Sequence, residues 1–97
     1  MDTNNKYRLE LSSDQYVNKL IQWWNDRLFE YERVSVYDFK CFCGIKPYYR
    51  DLAFDWSFTL TTENFETYDR YDHHHLKSGW CVSLPEPVSI LYRSYDA

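Results

Sequence analysis

Cys41, Cys43, Cys81 and the run His73-His74-His75 hold all the cysteine and histidine of this 97-residue chain. Together they are enough soft ligands for a tetrahedral zinc ion. On an extended strand Cys41 and Cys43 share a face, so both sulfurs could reach one ion. Their one-residue gap is not the usual zinc-knuckle spacing, and free cysteine packs like a small hydrophobe. Zinc held by Cys41, Cys43, His73, His75 and Cys81 is therefore the alternative here, and no cofactor is the main expectation. Cys81 with one of the histidines also fits a nucleophile–base pair, with Asp55, Asp69 or Asp72 to orient the imidazole. No Gly-rich loop or nucleophile elbow accompanies them, so the chain is expected not to be an enzyme.

The stronger constellation is acidic and aromatic. Between Asp55 and Asp72 lie five acids (Asp55, Glu63, Glu66, Asp69 and Asp72) and one base, Arg70, with Tyr68 and Tyr71 among them. Tyrosine is a preferred anchor of binding hot spots, and carboxylates around it steer towards a basic partner. Tyr48-Tyr49-Arg50 could stack on bases of a single strand, but Lys40, Lys46 and Arg50 form only a modest basic patch. Net charge is −4, with +1 in the first fifty residues and −5 in the rest. That disfavours direct binding to a phosphate backbone.

The elements that must position these residues are partly marked. Tyr7, Leu9 and Leu11 alternate with Arg8 and Glu10, as in a half-buried strand. Ser12 to Gln15 fits a capping box, with Leu11 and Tyr16 as its hydrophobic staple. Val17, Leu20, Ile21, Trp24, Leu28 and Tyr31 then form one stripe of a helix over about 13–31. A second strand is predicted over 34–43, a turn at Gly44-Ile45-Lys46-Pro47, and a third strand over 52–60 that pairs with the second as a hairpin. Residues 61–78 fit both a short helix (Thr61 or Thr62 as cap, Gly79 past the end) and a strand; they are read as irregular or briefly helical. Trp80, Val82 and Leu84 mark a fourth strand, and Val88, Ile90 and Tyr92 a last one.

The resulting expectation is a single α+β domain over 1–97. Its antiparallel sheet has about four to five strands in the order β-α-β-β-(α or loop)-β-β, with the long helix on one face. With 21% aromatic residues, two glycines and three prolines, the chain is neither disordered nor low in complexity. An odd cysteine count, a polar start and no long apolar run predict a cytoplasmic protein without a membrane partner. The function expected is that of a small inhibitor which occludes a basic, nucleic-acid-binding surface of a protein such as a nuclease. Its type is that of a toxin-immunity protein or of a phage anti-defence protein of the anti-CRISPR kind. The expected contact residues are Asp55, Glu63, Glu66, Tyr68, Asp69, Tyr71, Asp72, Tyr48 and Tyr49. The alternatives are a small zinc-stabilised or single-stranded nucleic-acid-binding module, and a homodimer through Trp23, Tyr48 or Tyr49.

Overall fold

The structure, a computed structural model, describes residues 7–91 without the Asp72 side chain. The chain is α+β, with two antiparallel three-stranded sheets instead of one sheet of four to five strands. Its contacts gather into two compact units. One takes in residues up to Trp23 together with Leu60–Pro85; the other takes in Trp24–Thr59 and residues from Glu86 on.

The first unit holds strands β1 (Arg8–Leu11), β4 (Phe65–Asp72) and β5 (His75–Ser83), with β5 between the other two. Helix α1 (Asp14–Tyr31) begins in this unit and ends in the other. Its capping serine is Ser13, one residue later than the pattern suggests: the Ser13 Oγ accepts from the Tyr16 N–H at 3.4 Å. Val17 and Leu20 of the apolar stripe are buried, as are the sheet residues Phe65 and Val82 of the same unit. Segment 61–78, expected to be irregular or briefly helical, is instead mostly strand. Thr61 does act as a cap, with its hydroxyl accepting from the Glu63 N–H at 3.3 Å. The element it caps is a single 3-10 turn, Thr62–Asn64, which runs straight into β4.

The second unit holds β2 (Val34–Ser35), helix α2 (Val36–Phe42), a 3-10 turn (Tyr49–Ala53), β3 (Phe54–Trp56) and β6 (Val88–Ser89). Here β3 is the central strand, antiparallel to both β2 and β6. The predicted strand 34–43 is thus mostly helix, and this is why the strands do not form one sheet. The period-two run Tyr37, Phe39, Cys41, Cys43 conceals a stronger helical signal. Ser35 caps the helix, accepting from the Asp38 N–H at 3.0 Å, and Val36 and Phe39 are buried one turn apart. The helix stops in a Schellman motif: the Ile45 N–H bonds the Lys40 carbonyl at 2.8 Å and the Gly44 N–H bonds the Cys41 carbonyl at 3.1 Å. Gly44 takes φ +76°, a conformation glycine reaches without a Cβ clash.

Strands β2 and β3 do pair antiparallel, but across α2 and the 3-10 turn rather than as a hairpin. The predicted third strand, 52–60, shortens to 54–56. Trp56 and Leu60 are buried as expected, while Leu52 and Phe54 are exposed. The core of this unit is aromatic: Trp24, Phe39 and Trp56 meet at centroid distances of 5.4–6.1 Å, and the Trp24 indole N–H donates to the Phe58 carbonyl at 2.8 Å. Among the described residues, no helix is long and apolar enough to cross a membrane.

Candidate functional site

The β4–β5 hairpin gathers most of the acidic and aromatic residues singled out in the sequence. Its register runs from Phe65 opposite Val82 to Asp72 opposite His75. His73 and His74 form a two-residue turn, both with positive φ (53° and 71°), the pattern of a type I′ turn. Strand β1 pairs only with Trp80–Ser83 of β5. Beyond Gly79 the hairpin is therefore, among the described residues, a two-stranded ribbon, and Asp69–Tyr71 and His73–Ser78 are exposed.

Strand alternation divides the acidic segment between two faces. Phe65, Thr67, Asp69 and Tyr71 share one face with Leu76, Ser78, Trp80 and Val82 of β5. Tyr71 and Leu76 stand directly opposite each other and are 75% and 58% exposed, with Asp69 and Ser78 the next pair along. Glu66, Tyr68 and Arg70 share the other face with Lys77, Gly79 and Cys81, and with Arg8 and Glu10 of β1. Charges there are mixed. Glu10 takes Arg70 at 3.2 Å and Arg8 at 3.3 Å, and the Arg70 guanidinium lies 5.8 Å from the Tyr68 ring centre. Glu63 is exposed in the 3-10 turn before β4. Asp72 ends β4, and its side chain lies outside what the structure describes.

Asp55 does not belong to this surface. It lies in the second unit, with 0% exposure, and its Oδ2 accepts from the Arg33 Nε at 2.5 Å while Arg33 also donates to the Leu52 carbonyl. A fully buried carboxylate bound by a guanidinium offers nothing to a partner. The sequence suggests a surface acid because Asp55 alternates with Phe54 and Trp56. Asp55 and Trp56 point to opposite faces of β3 and are both buried, so alternation does not mark Asp55 as exposed.

Tyr48 and Tyr49 also lie in the second unit. Tyr49 is 87% exposed. The Tyr48 ring is half-exposed and engaged, with Lys40 Nζ 5.3 Å and the Arg50 guanidinium 5.0 Å from its centre. Lys40 also binds the Asp51 carboxylate at 3.0 Å, and the Tyr48 N–H donates to that carboxylate at 2.8 Å. Burial pushes the Asp51 carboxyl up, but the Tyr48 N–H, Lys40 and Arg50 outweigh it and hold the pKa below the ordinary value. Trp23, the other aromatic proposed for self-association, is half-buried.

The zinc candidates are not brought together. Cys41 is in α2 and Cys43 is its C-cap, so the two side chains point to different sides of the helix. Cys43 is partly buried, and desolvation pushes its thiol up to about 11, away from the thiolate that zinc needs. Cys81 is buried in β5, six residues along the strand from His75 and in the other unit from Cys41 and Cys43. Among the described residues no three His, Cys, Asp or Glu side chains are placed to hold one ion.

One feature of the first unit carries no sequence signal. Val17, Phe65 and Trp80 floor a cleft of about 410 Å³ rimmed by Asp14, Asn18 and Thr62, in which the Trp80 indole N–H donates to Asp14 at 2.5 Å. Its residues come from three separated segments, which the pairing of β5 with both β1 and β4 brings together. Comparison with protein-family models, curated proteins and solved structures finds no match for this chain.

Proposed function

We propose that this chain is a non-enzymatic protein-binding inhibitor that lays its β4–β5 hairpin on a basic surface of its target. The observation that carries this reading is the pair Tyr71 and Leu76, opposite each other and exposed on a two-stranded ribbon. Large exposed side chains are anchors that a partner's pocket can desolvate. Asp69 sits two residues from Tyr71 on the same face, and Glu63 lies at the base of the hairpin. These carboxylates suit a surface built to bind phosphates. The target class we favour is a nuclease or another nucleic-acid-binding protein, in the setting of toxin immunity or phage anti-defence.

A photo-crosslinking residue at Tyr71, used in the native host, tests this. The expected product is an adduct with a basic protein, distinct by mass from any adduct with a second copy of this chain and absent when the probe stands at Glu86. Leu76→Ser should weaken capture about tenfold, the loss of one modest hot-spot contact. A folded Leu76→Ser variant that captures the same protein undiminished sinks the hairpin as the binding element.

A further inference from the structure

Strand β4 is an edge strand: β5 lies along one side, and among the described residues no strand pairs with the other. The ladder fixes which of its backbone groups face outward. The Leu84 N–H bonds the Tyr7 carbonyl, so by alternation Leu9–Val82 and Leu11–Trp80 are hydrogen-bonded pairs of β1 and β5. Those β5 residues direct their backbone groups at β1. The intervening Cys81, Gly79, Lys77 and His75 therefore bond β4 at Glu66, Tyr68, Arg70 and Asp72. The turn agrees, since a two-residue turn closes on a hydrogen-bonded pair, here Asp72–His75. Phe65, Thr67, Asp69 and Tyr71 thus aim their backbone groups away from β5. The Phe65 N–H is taken by the Thr62 carbonyl, which leaves the Phe65 carbonyl and both groups of Thr67, Asp69 and Tyr71 facing out.

We infer that a second copy of this chain covers this edge, in an antiparallel β4–β4′ ladder with Tyr68 opposite Tyr68′. In a two-fold antiparallel pair the outward-bonding residues must face one another, so the ladder centres on a residue. Centring on Asp69 sets carboxylate against carboxylate, and centring on Arg70 sets guanidinium against guanidinium. Centring on Thr67 places Phe65 opposite Asp69′ and Glu66 opposite Tyr68′. Centring on Tyr68 puts Glu66 opposite Arg70′ and Arg70 opposite Glu66′ on one face. On the other face Thr67 meets Asp69′, and Phe65 meets Tyr71′. Of these registers, it alone pairs unlike charges; Phe65 is already buried in its own copy, so the charge pairs carry the choice. Arg70 holds Glu10 across β5, so in the dimer its guanidinium turns from Glu10 to Glu66′ at the outer edge. The ladder also widens the ribbon beyond Gly79, only two strands in one copy, to four.

Sedimentation of the full chain from micromolar to roughly millimolar concentration reads the association directly. The wild type should dimerise. Glu66→Arg and Arg70→Glu should each weaken self-association at least about tenfold, because each sets like charges face to face. Mixed in equal amounts, the two variants should form a one-to-one heterodimer, since every pair is then again of opposite charge. Thr67→Pro should abolish dimerisation and leave circular dichroism unchanged, because the N–H it removes faces outward. If a charge variant fails to fold, Thr67→Pro decides alone. A wild type that stays monomeric throughout overturns the inference, as does a dimer that survives Thr67→Pro, or folded charge variants that do not associate on mixing. Leu76 lies on β5, away from this edge, so the target reading and the dimer fail separately.

Discussion

Asp51 shows how one side chain can order a stretch of chain that has little regular structure. Its carboxylate accepts from the Tyr48 N–H and from Lys40, and thereby ties the 3-10 turn Tyr49–Ala53 to α2. Its pKa is lowered in the folded state. A depressed carboxyl contributes stability that is fully present above its unfolded value, about 3.9, and is lost as pH falls through the folded value. Asp51→Asn should therefore be less stable than the wild type near neutral pH. In urea titrations the two should converge as pH falls from about 5 towards 2. A stability gap that stays constant with pH counts against the assignment. Asp55 teaches the complementary lesson. Asp55 alternates with Phe54 and Trp56, as a surface acid of a half-buried strand would, and only the partner Arg33, twenty-two residues away, marks it as a buried carboxylate. The sequence contains Arg33 but not its proximity.

Elements were legible where their ends carry their own chemistry. Helix α1 has a serine cap and an unbroken apolar stripe, and it forms over Asp14–Tyr31, close to the expected 13–31. The end signals of α2, Ser35-Val36-Tyr37-Asp38 and Gly44, are equally present, but a chance alternation of Tyr37, Phe39, Cys41 and Cys43 outweighs them to the eye. The β4–β5 hairpin was illegible for a different reason. Type I′ turns favour Asn-Gly because both central residues take positive φ, and His-His gives no such cue. Each left-handed histidine costs about 1 kcal/mol relative to a residue at ease there. Replacing His73-His74 by Asn-Gly should accordingly raise stability by up to roughly 2 kcal/mol, and each 1 kcal/mol moves the Tm of a chain this size upward by about 4–8 °C. A lowered Tm would mean that the histidines make contacts worth more than their strain. Gly79 marks the other constraint on this hairpin: a Cβ there would lie 2.4 Å from the Leu11 carbonyl oxygen, inside any tolerable contact. Its place opposite Tyr68 is a packing requirement, not the helix stop that the sequence suggests.

At the scale of the whole molecule, what remains legible is charge. A net charge of −4 on 97 residues cannot choose a fold, but it biases encounters towards basic surfaces. The sequence alone places that charge on one acidic segment. The structure distributes it: Asp55 is withdrawn, Glu10 and Glu66 share a face with Arg8, Arg70 and Lys77, and Asp69 stands beside the exposed Tyr71. Charge and anchor should therefore act on different steps of target binding. In the proposed complex, long-range attraction would govern how often partners meet, and the desolvated contact of Tyr71 and Leu76 how long they stay. Raising ionic strength from about 0.01 M to about 0.5 M shortens the screening length from roughly 30 Å to a few ångströms. Over that range the association rate with the captured target should fall at least about tenfold while the dissociation rate changes little. Leu76→Ser should show the reverse, faster dissociation with an unchanged association rate. Stopped-flow or surface-based kinetics separate the two. An association rate indifferent to salt would remove the basic surface from the proposal and leave the hairpin as a purely apolar anchor.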